Sequence, residues 1–422
     1  MSAMAERHLW IWYTPYGMGG VETFLLNMTR ESILDGNSVW VAATKDATGP
    51  MRDAFLETGA KLLDWSDFHD AYMAKRPVER IRHRMIEDLA RVQPTLLSLN
   101  DCNDFSIGAA PLLRMLRRYC TIFDTFHIDA PTDQYFDFRR TFLDAIDGVT
   151  ATNENVIRRF CRHYPNAATL EMRYIANGVT VPDRERREAD ETLRLLYVGR
   201  LVQEQKRILD LPPLLERLQS QGKKFTMTIV GDGPCRDALA SDLARRGLRK
   251  RVWLTGYLPP HQLIRLYFEH DVLVNLSAYE GFSMSVLEAL AAGCVPVCTD
   301  LDSLDRSVFL DGVSCRLCPV NELDRMVDIW SALTPGLLRQ MSIAARNTGR
   351  RFTVNRTYLE YRKLLTSVRG RRPLQPWPRD AVAAMQLDWD LTQHNPWLAR
   401  PHPLRNLAAS VWGRFLGTVD PD

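Results

Sequence analysis

Residues 272–298 read VLVNLSAYEGFSMSVLEALAAGCVPVC. Val272–Asn275 is an apolar run of strand length, Gly281 breaks it, and Ser283 is a capping residue type. Met284 to Ala292 is a strong helix former closed by Gly293, and Val295–Cys298 resumes the strand pattern. Strand, helix and strand in so short a span predict neighbouring parallel strands joined by a helical crossover.

The same alternation extends upstream. Leu193–Val198, Phe225–Val230 and Val252–Thr255 read as strands with helix-length segments between them. Before them lies a charge-dense stretch without an apolar face, Pro182–Glu191 (PDRERREADE), which reads as a linker. Ahead of it a first series reads as strands at His8–Tyr13, Ser38–Thr44, Thr95–Leu99, Cys120–Thr125 and Gly148–Thr152. The expectation is an α/β chain of two doubly wound, Rossmann-like domains facing across a cleft, plus a helical C-terminal extension. The domains are placed at residues 1–178 and 179–350, followed by a helix at 351–372 able to cross back to the first domain. A tail at 373–422 holds four of the ten tryptophans, too aromatic for a solvated linker.

Length and composition agree with two units. The 422 residues exceed the ~100 to 200 of one domain, and 45% apolar with 25% charged residues excludes wholesale disorder or a membrane-spanning bundle. The 54 Lys and Arg against 51 Asp and Glu leave +3, too little to argue for a nucleic-acid partner. The early apolar run Leu9–Tyr13 is shorter than the ~7 to 15 residues of a secretory segment, so a cytoplasmic protein is expected, working free or against the inner face of the membrane. Cys294, Cys298, Cys315 and Cys318 superficially imitate a zinc pattern, but their apolar context suits small buried hydrophobes, and no metal is expected.

Chemistry is sought at the loops after the strands. The first, with Gly17, Gly19 and Gly20, opens a helix and suits close approach to phosphate or a sugar ring. After Leu193–Val198 come Gly199, Arg200 and Lys206, two cations suited to a diphosphate. Gly231-Asp-Gly-Pro follows the next strand, where a base or ribose fits. In the opening segment Glu280 precedes the helix and Glu288 lies inside it, ~10 Å away at 1.5 Å per residue, with free N–H groups of Gly281, Phe282, Ser283 and Met284 between them. Hydroxyls, phosphate, then hydroxyls is the order of groups in a nucleotide sugar.

These segments, taken together and in order, resemble glycosyltransferase family 4: Gly-Gly-Val-Glu at 19–22, Gly-Arg-Leu at 199–201 with Lys206, Gly-Asp-Gly-Pro at 231–234, and Glu280-Gly-Phe with Glu288 and Gly293. The resemblance covers roughly residues 8 to 368. It implies the GT-B fold and retaining transfer of a sugar from a nucleotide-diphosphate sugar, which is a substrate, so no cofactor is implied. It further implies that Arg200 and Lys206 hold the diphosphate, Glu280 the sugar and Glu288 the ribose, and that Gly19 and Gly20 approach phosphates and acceptor. His127, after Cys120–Thr125, resembles the family's histidine near the transferred sugar. Asn177-Gly-Val resembles the stretch before the second domain, with Thr180 in place of an acid. The implied acceptor is a glycan or lipid-linked saccharide of cell-envelope or exopolysaccharide assembly. Front-face transfer needs no dedicated nucleophile.

Other readings use the same residues. A GT-B sugar-nucleotide epimerase needs no acceptor, and a noncatalytic nucleotide- or glycan-binding module shows no turnover. A nicotinamide oxidoreductase is discouraged by the incomplete glycine motif. Metal-dependent transfer through Asp300-Leu-Asp302 or Asp388-Trp-Asp390 rests on short, common patterns. Apolar stripes at Val78, Ile81, Met85, Leu89 and Val92, and at 404–416, beside arginines, suit packing against the body of the protein or, as the second reading, a peripheral contact with anionic membrane.

Overall fold

The computed structural model describes residues 5–74, 79–132, 134–167 and 169–386. It divides into two compact units, one running to Ala176 and resuming at Val354, the other spanning Asn177–Thr353.

The first unit contains β1 (Arg7–Trp12), β2 (Ser38–Ala43), β3 (Lys61–Asp64), β4 (Leu96–Ser98), β5 (Thr121–Phe126), β6 (Gly148–Ala151) and β7 (Glu171–Tyr174). They form one parallel sheet in the order β3-β2-β1-β4-β5-β6-β7. The order reverses between β1 and β4, so the loops after these two strands meet at the switch point where such sheets bind ligands. The central strands carry near-continuous apolar residues because both faces are covered; Leu9, Ile11, Val41, Leu97 and Ile122 are fully buried. The helix Val354–Arg371 belongs to this unit: Tyr361 bonds Thr150 Oγ1 at 3.0 Å, and Tyr358 donates to Asp35 at 2.9 Å. The described start of the tail also packs here. Trp377 stacks on Tyr119 with ring centroids 4.9 Å apart, and Met385 is fully buried. The rest of the tail, including its apolar stripe and Asp388-Trp-Asp390, lies outside the described residues.

The second unit contains β8 (Leu193–Val198), β9 (Phe225–Val230), β10 (Val252–Gly256), β11 (Val272–Asn275), β12 (Val295–Asp300) and β13 (Arg316–Pro319), parallel in the order β10-β9-β8-β11-β12-β13. Its switch point falls between β8 and β11, which bear the Gly-Arg-Leu and Glu280 loops. The helix Met284–Ala292 buries Leu287 and Leu290 completely, ~2 kcal/mol each. Gly293 ends it in the left-handed conformation, φ +78°.

One expectation is corrected, and one pair of alternatives is decided in favour of packing. Pro182–Glu191 is not a free linker: Arg186 bonds the Tyr267 carbonyl at 2.6 Å, Arg187 pairs with Asp271 at 3.0 Å, and Asp183 pairs with Arg346 at 2.9 Å. A chain without an apolar face is fastened here by guanidinium bonds to carbonyls and carboxylates. The stripe on the helix Glu79–Val92 is not a membrane surface, because Ile81, Met85, Leu89 and Val92 are all buried. Val78 and Arg76 lie outside the described residues. No helix among those described is long and apolar enough to cross a membrane.

Candidate functional site

In the second unit, the loops after β8 and β11 meet. Lys206 Nζ pairs with Glu280 Oε1, and Ser277 Oγ donates to the same carboxylate oxygen at 2.6 Å. The two charged side chains are only 15% and 11% exposed, so their attraction is little screened by water. Arg200 donates to Gln205 Oε1 at 2.8 Å. Gln205, itself buried, accepts from Ala278 N through its carbonyl at 2.8 Å and reaches the Tyr279 carbonyl at 3.4 Å through its side chain. One glutamine thus holds Arg200 to the Glu280 loop. Neither Gln205 nor Ser277 was singled out in the sequence, since an amide or a hydroxyl declares its role only through its partners.

Glycines bring the neighbouring loops together. Gly199 N donates to the Val230 carbonyl at 3.1 Å, and Gly231 lies at φ +134° with its Cα against the Gly199 carbonyl, where a Cβ would overlap the oxygen. Only glycine tolerates both conditions.

Gly281 and Phe282 are buried in the turn ahead of the helix Met284–Ala292. The Phe282 carbonyl accepts from Asn177 Nδ2 at 3.0 Å, and its ring meets Phe309 and Phe352 edge-on at 6.1 and 5.6 Å. Ser283 occupies the N-cap position but makes no side-chain cap, a correction to the expectation; its hydroxyl bonds Ser285 Oγ at 3.1 Å instead. The first-turn N–H groups starting at Met284 are therefore not neutralised by a capping oxygen, and the helix end keeps its partial positive charge. Further along, Glu288 accepts from Tyr267 OH at 2.7 Å. Burial pushes its carboxyl up to about 7, with the Tyr267 bond opposing the shift. Tyr267 is the other participant that sequence reasoning missed. The structure brings Arg200, Lys206 and Glu280 into one cluster, with Glu288 held separately by Tyr267.

In the first unit, Gly19 is the N-cap of the helix Gly20–Leu34. The space above Gly19 is filled by the carboxylate of Glu22, which also accepts from Trp12 Nε1 at 3.2 Å. The anion at this helix N-terminus is thus the chain's own side chain, not an open phosphate cradle. His127 lies after β5, buried, its ring 4.9 Å from Phe24 and 6.4 Å from Trp12. Burial lowers its pKa to about 3, which keeps the ring neutral.

The cysteines of the imitated zinc pattern are buried, and desolvation raises the thiols of Cys294 and Cys315 to about 12. Among the described residues no group of three or more His, Cys, Asp or Glu is arranged to hold a metal ion. Asp300 pairs with Arg306 at 2.6 Å.

Residues 182–346 match the family model of glycosyl transferases group 1. Glycogen synthase of Mycobacterium tuberculosis is 33% identical over 150 residues, 34% of this chain and 36% of that protein. Lipopolysaccharide 1,6-galactosyltransferase of Salmonella typhimurium is 32% identical over 152 residues, 35% of this chain and 41% of that protein. The matched stretch therefore spans well under half the length of these curated relatives. The solved structure of Anabaena HepE in complex with UDP and glucose superposes with a TM-score of 0.69 at 16% identity, covering 86% of this chain and 100% of that one. The fold is GT-B, and the glycosyl transferases group 1 match falls on the unit that holds Arg200, Lys206, Glu280 and Glu288.

Proposed function

We propose that this chain, whose residues 182–346 form a group 1 glycosyl transferase domain, is a retaining glycosyltransferase of family 4. It moves a sugar from a nucleotide-diphosphate sugar to a glycan or lipid-linked acceptor in envelope or exopolysaccharide assembly, in the cytoplasm or at the inner membrane face. The second unit binds the donor and the first unit serves the acceptor. The observation that carries the reading is the Arg200–Gln205–Lys206–Glu280 cluster beside a helix N-terminus without a side-chain cap, with Glu288 further along the same helix.

Cleavage of the sugar–phosphate bond develops negative charge on the departing diphosphate. Arg200, Lys206 and the first-turn N–H groups are preorganised cationic and dipolar partners for that charge, so they lower the barrier without reorganising water. Glu280, fixed by Lys206 and Ser277, orients sugar hydroxyls and is not the attacking group. Glu288 accepts from the ribose diol. The leaving phosphate takes the acceptor proton, and no metal is required. Relatives named for lipopolysaccharide galactosyl transfer and a neighbour solved with UDP and glucose support a uridine donor among the candidates.

The test is release of free nucleotide from a panel of uridine, guanosine, adenosine and thymidine diphosphate sugars without added metal. Turnover of one donor, abolished in Glu280→Ala and Arg200→Ala, supports the reading. Saturable donor binding without turnover across a broad acceptor screen sinks it in favour of a binding module. Conversion of the sugar nucleotide without any acceptor identifies an epimerase.

A further inference from the structure

Two consecutive residues after β4, Asn100 and Asp101, adopt left-handed backbone conformations at φ +47° and +62° although neither is glycine. Asn and Asp are the non-glycine residues that enter this conformation most readily, and two in succession are held here by their surroundings. The surroundings here are a buried ionic cluster. Arg139, fully buried, donates to Asp124 Oδ2 at 2.9 Å and pairs with Asp101 Oδ1. Tyr135 OH donates to Asp101 Oδ2 at 2.6 Å, and Asp101 N donates to Asp124 Oδ1 at 3.0 Å. The same Asp101 Oδ2 accepts from the backbone N of His127 at 2.9 Å. The cluster therefore fixes the backbone of His127 and the turn that carries Asn100.

The side chain of Asn100 completes the arrangement. Its amide nitrogen donates to the Ser98 carbonyl at 3.2 Å and the Ile11 carbonyl at 3.4 Å, and its Oδ1 lies 3.3 Å from His127 Nε2. Flipping the amide would set Oδ1 against two carbonyl lone pairs, so the orientation is determined by its neighbours. An amide oxygen only accepts, so His127 Nε2 must carry the proton. We propose that Asn100, seated on the Asp101–Arg139–Asp124 cluster, fixes His127 as the Nε2–H tautomer and leaves Nδ1 as the ring's acceptor for a sugar hydroxyl. The role toward a sugar rests on the transferase reading; the tautomer does not. Among the described residues nothing bonds Nδ1. Asn100 and Asp101 are then positioning residues, acting through His127.

The test is a two-bond proton–nitrogen NMR spectrum of the full-length protein labelled in its histidines, with the His127 signals identified by their loss in His127→Gln. The expected wild-type pattern is a protonated Nε2 and an unprotonated Nδ1. In Asn100→Leu that pattern is expected to give way to the other tautomer or to an exchanging mixture, with kcat for donor turnover down about ten-fold, the scale of one lost hydrogen bond. A wild-type ring protonated at Nδ1, or an Asn100→Leu spectrum identical to wild type, overturns the proposal. Should Asn100→Leu not fold at its left-handed backbone position, Asn100→Gly, which suits φ +47° and also removes the amide, takes its place in the same spectrum, and a pattern identical to wild type overturns the proposal. The expected tautomer in a protein that turns over no donor would leave this assignment standing while the transferase reading fails.

Discussion

Lys206 and Glu280, 74 residues apart in sequence, form an ion pair at the junction of the loops after β8 and β11. Because both side chains are mostly buried, removing one partner strands the other's charge in a poorly solvated place. Glu280→Leu or Lys206→Met alone is therefore expected to cost ~3 kcal/mol of stability. The double replacement Lys206→Met with Glu280→Leu should cost much less than the sum of the single losses, while donor turnover stays abolished. Urea unfolding of the four proteins checks this, and additive losses would show that the pair is not coupled.

Glu288 supplies a pH dependence of defined sign. Its folded pKa, about 7, lies above the ordinary 4.5, so the folded form binds the proton more tightly than the unfolded chain. Stability should then fall as pH rises from 4.5 to about 7 and level off above. Glu288→Gln should flatten that decline in urea midpoints taken across the range. A ribose diol donating to the carboxylate favours its charged form, so nucleotide binding near pH 6.5 should release protons. Calorimetry with the intact nucleotide sugar, whose diphosphate carries no proton near this pH, in buffers of different ionisation enthalpy measures that release, and none is expected in Glu288→Gln.

Tyr267 lends the same carboxylate one hydrogen bond at 2.7 Å. Tyr267→Phe removes the donor and keeps the ring, so packing is largely spared. Nucleotide affinity should drop about ten-fold, the scale of a bond to a charged group, with the fold intact by near-ultraviolet circular dichroism. Unchanged affinity would mean that Glu288 is not at the nucleotide.

Most strands were legible, and those that were not share a position. Lys61–Asp64, Glu171–Tyr174 and Arg316–Pro319 each lie at the edge of a sheet and are four residues long, with only one fully buried residue at most. An edge strand pairs on one side only and carries polar residues, so it lacks the apolar run that marked Phe225–Val230 or Val272–Asn275. The site divides likewise. Glycines, Arg200, Lys206 and both glutamates stood out because residue type and spacing already specify anion and hydroxyl chemistry. Gln205, Ser277, Tyr267 and Asn100 did not, since each acquires its role from a partner distant in sequence or from a backbone turn. Glu22 shows the converse: its loop looked open because the sequence does not reveal that the side chain folds back over Gly19.

The close approach of Gly231 to the Gly199 carbonyl can be separated from its backbone conformation. Gly222 also has positive φ, +75°, but has nothing within 4 Å of where a Cβ would stand. Gly222→Ala should therefore cost only the ~1 kcal/mol of a left-handed alanine. Gly231→Ala must in addition push the β8 and β9 loops apart, and should lose more than ~2 kcal/mol together with donor binding through the displaced Arg200. Equal thermal shifts in the two variants would show that the loops part freely.

The helix Glu79–Val92 offers a direct contrast between a membrane face and a core face. Its apolar stripe and its arginines would suit anionic lipid, yet Leu89 is 1% exposed and Met85 fully buried. A lipid-facing leucine can be truncated at little cost to folding, whereas a core leucine leaves a cavity. Leu89→Ala is accordingly expected to lower stability by ~2 to 5 kcal/mol and to leave flotation with anionic liposomes unchanged. The opposite result, intact stability with lost flotation, would return this helix to the membrane. Any lipid contact of the full chain would then be sought in residues 403–422 by the same flotation assay on the shortened protein.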